Sequence, residues 1–345
     1  MELVSSPREI SKSSYLFSSE IPLARYRFTA VVQQALALPD YAGSLLRGQF
    51  GAALRQVACM TRQPTCPGCP LLQTCPYTRI FEAPPPARGQ HALQDFSQIP
   101  NPYVMEPPTP GARVLAAGDM LVFHLVLVGH AVEQLALVVF ALQRALAQGL
   151  TRQRVPADLL QVDWLDTQGT EHPVWSRDQP TLAGRPTTLQ APAAPADAGG
   201  ITLNIDTPLR LQQQGRPLGA AQLTPRVLVA ALARRAALLM EFHAGQDGWG
   251  EAARRITHRS ENLTDTRDLH WFDWTRYSSR QQQEMTLGGV LGRWTLHGSA
   301  EDLAEVWPWL WLGQWLHAGK NATMGMGGYT LEAPSAGKSP SCTAY

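Results

Sequence analysis

The sequence predicts an α+β fold in which two ferredoxin-like (RRM-like) β-α-β-β-α-β domains follow one another. Each half of the 345-residue chain contains strand-like and helix-like segments in that order. A stretch rich in Pro, Ala and Gly separates the two halves. We therefore expect an N-terminal domain over residues 1–168, a linker over 169–200, a C-terminal domain over 201–332 and a tail over 333–345.

The N-terminal half begins with an alternating apolar segment, which predicts a strand over Leu23–Val32. Apolar residues then recur at helical spacing, which predicts a helix over Tyr41–Ala58. That helix contains three glycines, each of which costs up to about 1 kcal/mol relative to alanine. We therefore expect backbone or a ligand to approach the helix closely at Gly43, Gly48 and Gly51. The same periodicities predict the remaining elements of this half: strands at Tyr103–Met105, Met120–Val128 and near Leu159–Leu165, and a helix at Ala131–Ala147.

The C-terminal half repeats this order, beginning with a strand over Ile201–Leu211. Thr224 followed by Pro225 is typical of a helix N-cap with proline in the first turn, and it predicts a helix through Phe242. Ser299, with Asp302 three residues later, predicts the start of a second helix. Further segments complete the domain: strands at His270–Thr275 and Met285–His297, a helix through His317 with a kink at Pro308, and a strand from about Gly325 to Leu331.

Composition and charge restrict the class of protein. Hydrophobic residues make up 44% and charged residues 17% of the chain, which is typical of a globular protein. A net charge of +1 excludes a strongly basic polyanion binder, although arginines concentrated between Leu23 and Gln90 allow a local basic face. No apolar run reaches the roughly 18 residues of a spanning helix, and no signal peptide is apparent. We expect a soluble, cytoplasmic protein with no membrane partner.

Four cysteines lie within a short segment of the first half: Cys59, Cys66, Cys69 and Cys75. A Pro-Gly pair between the middle two predicts a tight turn that lets both thiolates face one ion. Four thiolates suit structural zinc, and an iron–sulfur cluster is the alternative. The cluster would hold an insertion at about residues 59–82. Since four ligands leave no open position, we expect no catalytic metal there.

Two segments of the second half suit contact with RNA. Residues 319–328 form a glycine-rich loop that does not fit a P-loop, because Gln314 and Asn321 stand where that motif needs Gly and Ser or Thr. Its backbone N–H groups and Lys320 suit a phosphodiester chain; a simple turn before an edge strand is the alternative. Upstream, aromatic residues alternate with cations and amides, a pattern that suits base stacking and phosphate contact. The candidates there are Arg276, Tyr277, Arg280 and Gln281, and in the loop Gly319, Lys320, Gly325 and Gly327.

These motifs resemble the CRISPR-associated endoribonucleases that cut precursor crRNA within its repeats, members of the RAMP superfamily. The similarity spans nearly the whole chain and is carried by seven stretches: Gly43–Gly51, Cys66–Glu82, Thr207–Leu211, Trp271–Gln281, Leu287–Gly289, His317–Lys320 and Gly325–Tyr329. The resemblance implies tandem ferredoxin-like domains and contact between crRNA and the glycine-rich loop. It also implies CRISPR repeat RNA as the substrate, and other CRISPR effector subunits as further partners.

The resemblance implies cleavage without a metal ion, by attack of the RNA's own 2′-hydroxyl to leave a 2′,3′-cyclic phosphate. Many members of the family place a catalytic histidine on or just after the first helix, whereas no histidine of this chain precedes His91. The candidates for acid–base chemistry are therefore Tyr77, His91 and His317, with Arg47 and Lys320 to stabilise charge. The alternative function is a non-catalytic crRNA-binding RAMP subunit of an effector complex. A redox protein is a third possibility if the cysteines hold iron and sulfur.

Overall fold

The two halves of the chain build two separate antiparallel sheets, each covered by helices. A computed structural model describes residues 16–17, 20–85, 99–185, 187–195, 199–278 and 283–332. Three candidate site residues therefore lie outside the described residues: His91, Arg280 and Gln281. No helix within the described ranges is long and apolar enough to cross a bilayer.

The N-terminal half supplies eight strands and three helices among the described residues. They are β1 (Ile21–Val32), β2 (Leu36–Leu38), α1 (Gly43–Ala58), α2 (Pro76–Phe81), β3 (Tyr103–Glu106), β4 (Arg113–Leu115), β5 (Met120–Val128), α3 (Leu135–Gln148), β6 (Ala157–Leu165), β7 (Glu171–Ser176) and β8 (Thr188–Leu189). The main sheet has the strand order β3-β5-β1-β6-β7, and β8 pairs with the start of β1. Strands β1, β3, β5 and β6, with α1 and α3, give the predicted β-α-β-β-α-β order.

The C-terminal half supplies six strands and three helices among the described residues. They are β9 (Ile201–Leu209), β10 (Gln212–Gln213), β11 (Arg216–Pro217), α4 (Pro225–His243), α5 (Trp249–Arg259), β12 (Thr264–Ser278), β13 (Gln283–His297), α6 (Ala300–Leu316) and β14 (Tyr329–Glu332). The sheet order β12-β13-β9-β14 places the first and last strands side by side, as the predicted topology requires. The Thr224 hydroxyl accepts from the Val227 amide, which confirms the predicted N-cap.

Two segments differ from the sequence expectations in ways that change the domain organisation. The N-terminal sheet continues into the predicted linker, because Glu171–Ser176 pairs with β6 and buries Val174 and Trp175. Helix α5 was not predicted, although its buried residues Trp249, Ala252, Ala253 and Ile256 repeat at helical spacing. Both segments are short, and a few buried apolar side chains hold each in place. A domain boundary drawn from overall composition does not register so few residues.

Buried side chains connect the two domains. One core cluster consists mainly of C-terminal side chains but includes Leu23, Val104 and Val126 of the N-terminal sheet. A second cluster fills the space between the N-terminal sheet and its helices α1 and α3. Because the first cluster is continuous across the boundary, the two sheets share an apolar interface.

The three glycines of α1 have different surroundings. A Cβ built on Gly43 would lie 1.9 Å from the Met324 carbonyl oxygen, and one on Gly51 would lie 2.1 Å from the Phe81 ring. A Cβ on Gly48 would meet nothing within 4 Å. The expected close approach is therefore confirmed at Gly43 and Gly51 and is wrong for Gly48. The atom that approaches Gly43 belongs to the glycine-rich loop of the other domain.

Gly43 and Gly48 form a matched pair for a test of stability. We expect Gly43→Ala to lower the free energy of unfolding by about 1–3 kcal/mol, because its methyl group would overlap a backbone carbonyl. Gly48→Ala should raise that free energy by up to about 1 kcal/mol through helix propensity alone. Denaturant titration of both variants checks the pair. Equal effects of the two substitutions would contradict the close contact at Gly43.

Candidate functional site

The glycine-rich loop lies between the two domains. Gly325 has φ +84°, and a Cβ on it would lie 2.4 Å from Pro107 Cδ and 2.5 Å from the Met105 carbonyl oxygen. Gly327 has φ +75°, and its amide donates to the Pro208 carbonyl over 3.0 Å. Positive φ and such close packing favour glycine. These two glycines therefore shape the loop so that it fits against the end of β3.

A group of charged and polar side chains lies beside the loop. The Arg25 guanidinium donates to Glu106 and to the Gln314 carbonyl, each over 2.7 Å. The Nε2 atom of His317 lies 3.0 Å from the same Glu106 oxygen. Arg25 and His317 outweigh the cost of burying Glu106 and lower its pKa to about 2. The carboxylate therefore remains ionised at neutral pH and connects β1, β3 and the end of α6.

Tyr41 and the β12–β13 hairpin pack against the loop. The Tyr41 hydroxyl donates to the Met324 carbonyl over 2.9 Å, and its ring lies 4.7 Å from that of Trp274 on β12. Burial raises the pKa of Tyr41 well above its ordinary value, so its hydroxyl keeps its proton. Leu287 and Met326 complete this small apolar cluster. The cluster joins α1, the hairpin and the loop.

The predicted RNA-binding residues of the loop have different degrees of exposure. Lys320 is exposed, and its backbone amide donates to the Arg210 carbonyl over 2.9 Å. Gly319, with φ +81°, packs against the same carbonyl. Gly325 and Gly327 are buried. The part of the loop that offers a side chain to a ligand is therefore the turn that carries Lys320.

The hairpin strands place two further predicted residues near its tip. In the register of β12 with β13, Arg276 pairs with Met285 and Tyr277 pairs with Glu284. Both follow Trp274, which packs against Tyr41 beside the loop. The backbone of Arg276 and Tyr277 thus continues β12 past Trp274, toward the end of the hairpin.

Arg47 lies on α1 with its guanidinium over the Phe81 ring, 4.5 Å from the ring centre. Its Nε atom is buried and has no hydrogen-bond partner among the described residues. Burial raises the pKa of the neighbouring Tyr103 to about 12, and the charge of Arg47 opposes that rise. Arg47 therefore lies close to β3 with one donor, Nε, that no group in the described part of the chain uses.

Tyr77 is buried on α2, and its hydroxyl donates to the Glu82 carboxylate over 3.1 Å. Burial raises the pKa of this hydroxyl, and the adjacent carboxylate raises it further. His317 is also buried, and both of its ring nitrogens have partners. In this arrangement neither residue offers a free polar atom to a ligand.

The four cysteines border one small cavity beside Arg55 and Tyr77. None of them is in a disulfide, and the Thr61 hydroxyl oxygen lies 3.5 Å from the sulfur of Cys69 and 4.0 Å from that of Cys59. Burial raises the pKa of the Cys66 thiol. Within the described ranges, no three or more His, Cys, Asp or Glu residues form a group that could hold a metal ion. The predicted zinc site is thus unsupported, although the donor type suits zinc.

Four residues of this site were not singled out by the sequence as functional: Arg25, Tyr41, Glu106 and Thr207. The Thr207 hydroxyl donates to the Gly325 carbonyl over 2.6 Å and accepts from the Gly328 amide over 2.7 Å. Thr207 does fall within one of the motifs that carry the resemblance. One feature of the sequence could have indicated Glu106: it is a carboxylate at the end of the otherwise apolar strand β3.

Two family models match this chain, one over each of the two domains. Residues 203–329 match the family model described as CRISPR-associated endoribonuclease Cas6, and residues 21–187 match a model described as an N-terminal domain. The C-terminal half of this chain is therefore similar to a Cas6 domain. This match confirms the resemblance to CRISPR repeat-processing endoribonucleases. No curated protein matches the sequence.

Solved Cas6 structures share the fold of both domains. A Thermus thermophilus Cas6 product complex has a TM-score of 0.56 and 17% identity, covering 91% of this chain and 100% of that chain. A second structure of that Cas6 has a TM-score of 0.51 and 15% identity, with coverage of 91% and 99%. A partial Cas6-RT-Cas1–Cas2 complex has a TM-score of 0.54 and 14% identity, covering 91% of this chain and 46% of that one.

Proposed function

We propose that this protein is an endoribonuclease that cleaves CRISPR repeat RNA to generate crRNA. The observation that carries the proposal is the Cas6 match over residues 203–329, which includes the β12–β13 hairpin and the glycine-rich loop. The fold supports it as well, since the described domains correspond to the full length of a Cas6 chain. The exposed Lys320 supplies a basic group of the kind that an RNA backbone requires, and Arg276 and Arg280 are further basic residues of the matched sequence.

The proposed reaction is a transesterification that uses the RNA's own 2′-hydroxyl. The 2′-oxygen bonds to the adjacent phosphorus while the bond from phosphorus to the 5′-oxygen breaks. One base removes the 2′-proton, and one acid returns a proton to the 5′-oxygen. The products are a 2′,3′-cyclic phosphate and a 5′-hydroxyl. Because RNA supplies the nucleophile, the protein needs only proton transfer and a cation near the phosphate, the role we propose for Arg47 and Lys320.

The geometry disfavours the two acid–base candidates that the structure describes, Tyr77 and His317. Tyr77 is bonded to Glu82, and burial holds its proton, so it would be a poor base. His317 has partners on both ring nitrogens. His91 lies outside the described residues, and histidine suits proton transfer near neutral pH. We therefore propose His91 as the first residue to test for acid–base catalysis.

The mechanism makes a direct prediction about the substrate. Purified protein incubated with the repeat RNA of its own genome should cut it in the presence of EDTA and leave a 2′,3′-cyclic phosphate. RNA with a single 2′-deoxy substitution at the scissile position should bind but stay intact, because the nucleophile is missing. Product analysis on gels, with end-group mapping, measures both results.

Four outcomes separate this function from its alternatives. Cleavage of the 2′-deoxy RNA would contradict the mechanism, as would loss of cleavage in EDTA while the fold persists. Tight binding of the repeat RNA with no cleavage under any condition would instead support the non-catalytic crRNA-binding subunit. Equal binding of unrelated RNA would contradict both functions.

The proposed RNA contacts predict a change in salt dependence. Replacing Arg276, Arg280 or Lys320 by Ala should weaken repeat-RNA binding and lower the salt slope by about 0.7–0.9 per lost phosphate contact. Arg177→Ala is the matched control, because Arg177 is exposed but pairs with Asp158 beside the N-terminal sheet. Binding titrations between 50 and 200 mM salt, roughly the range over which such contacts are lost, make the measurement. Unchanged affinity and slope in all three variants would remove these residues from the interface.

We also propose that the cysteine cluster binds one structural zinc ion, with an iron–sulfur cluster as the alternative. The spacing of the four cysteines supports this, as does the single cavity that all four border. The ion would hold residues 59–75 against α1 and α2, away from the reaction. The chemistry that zinc supplies at such a site is structural.

The metal proposal is tested by analysis of the purified chain. We expect about one zinc ion per chain, and loss of that ion with a lower Tm when Cys66 and Cys69 are replaced by Ser. Cys342→Ser, outside the cluster, is the control and should keep the ion. Iron with visible absorbance would identify the cluster instead. Material with neither metal would contradict the proposal.

Partners beyond RNA are a further proposal. One structural relative is named as a Cas6-RT-Cas1–Cas2 complex, so a Cas6-like fold occurs beside other CRISPR proteins in that assembly. We propose that this protein also contacts other CRISPR effector subunits.

A further inference from the structure

His317 lies where helix α6 ends and the chain turns toward the glycine-rich loop. Its φ is +58°, which is uncommon for a residue other than glycine, and its amide still donates to the Gly313 carbonyl. The side chain is 3% exposed. The ring is therefore held inside the contact between the two domains.

Both ring nitrogens of His317 face oxygen atoms that can only accept hydrogen bonds. Nδ1 lies 3.0 Å from the Gly325 carbonyl oxygen and 3.3 Å from that of Met326. Nε2 lies 3.0 Å from Glu106, which is ionised at neutral pH. A neutral imidazole has one N–H and would leave a lone pair facing one of these oxygens. Both contacts are satisfied together only when each nitrogen carries a proton.

The surrounding charges support a positively charged ring. Glu106 is in direct contact with it, and the carboxylate of Asp206 on β9 lies close enough to interact with its charge. Arg25 shares Glu106, while burial lowers the pKa of His124 on β5 and keeps that ring neutral. Two carboxylates and two cations thus balance at this site, which is what a buried ion pair requires.

From this geometry we propose that His317 is a positioning residue whose doubly protonated ring fixes the glycine-rich loop to Glu106 of the N-terminal domain. The proposal rests on the proposed RNA-processing function. Within that function it makes His317 a positioning residue instead of an acid–base candidate. The loop segment that His317 holds, residues 325–328, returns the chain to β14. A Cβ on Gly328 would lie 2.6 Å from the His317 ring, so the ring also packs on the loop backbone. Loss of either bond would free the loop that carries Lys320.

The competing role, general base, requires a ring nitrogen with a free lone pair that reaches the RNA. The two roles predict different kinetics for His317→Gln. Loss of a base should lower the cleavage rate at saturating RNA by about 10²–10⁴-fold. Loss of a positioning contact should instead weaken RNA binding by about tenfold, which is the value of a hydrogen bond to a charged group. The saturating rate should then stay within about threefold of wild type.

Two further variants complete the kinetic test. Glu106→Gln should weaken RNA binding in the same way, because the amide keeps the shape but removes the charge that pairs with His317. His172→Gln is the matched control, since His172 forms a half-buried pair with Asp166 over 3.1 Å in the N-terminal domain. It should leave affinity and rate unchanged. Unchanged RNA affinity in both His317→Gln and Glu106→Gln would overturn the proposal.

A measurement on the RNA-free protein keeps the proposal testable if the variants do not fold. Nitrogen-15 NMR of the histidine-labelled full chain at pH 7 should show two bound protons on the ring that contacts Gly328. A single protonated nitrogen on that ring would overturn the proposal. The result is independent of cleavage: a charged ring in a protein that cuts no RNA would contradict the proposed function and leave the positioning role standing.

Discussion

The structure depends on how closely the glycine-rich loop fits against the N-terminal domain. The Met324 carbonyl occupies the space that a Cβ would need at Gly43, and Gly325 lies against the end of β3. Such contacts are possible only where glycine removes the side chain on one partner. The fit ties the first turn of α1 to a loop of the other domain. It therefore fixes the position of α1, which carries Arg47, relative to the loop, which carries Lys320.

Charge reinforces this fit. Arg25 and Glu106 form a partly buried ion pair, and the His317 ring contacts the same carboxylate. Removal of the Glu106 carboxylate would leave the Arg25 guanidinium partly buried without its opposite charge, which is more costly than the loss of a surface pair. The three residues lie directly beside the loop. These directional contacts define how the two domains meet more narrowly than apolar packing alone would.

Much of the fold could be predicted from periodicity, because α1, α4 and the principal strands each bury one face and repeat apolar residues accordingly. The position of β7 could not, since only Val174 and Trp175 distinguish it from the linker around it. The sequence indicated that something approaches Gly43 but not that it is Met324, because nothing local connects positions in different domains. For the same reason Glu106 and His317 could not be paired. The cysteine spacing predicted a metal site; the four cysteines do border one cavity, but the described residues form no group of three or more that could hold a metal ion.

The central claim is that the glycine-rich loop is ordered by the two domains before any RNA binds. Amide hydrogen exchange of the RNA-free full-length protein tests it most directly. The amides of Gly325, Gly327 and Gly328 each donate to an oxygen within the protein. They should therefore exchange slowly, with protection close to that of neighbouring strand β9. Exchange of these three amides at the rate of an unfolded peptide would contradict the account.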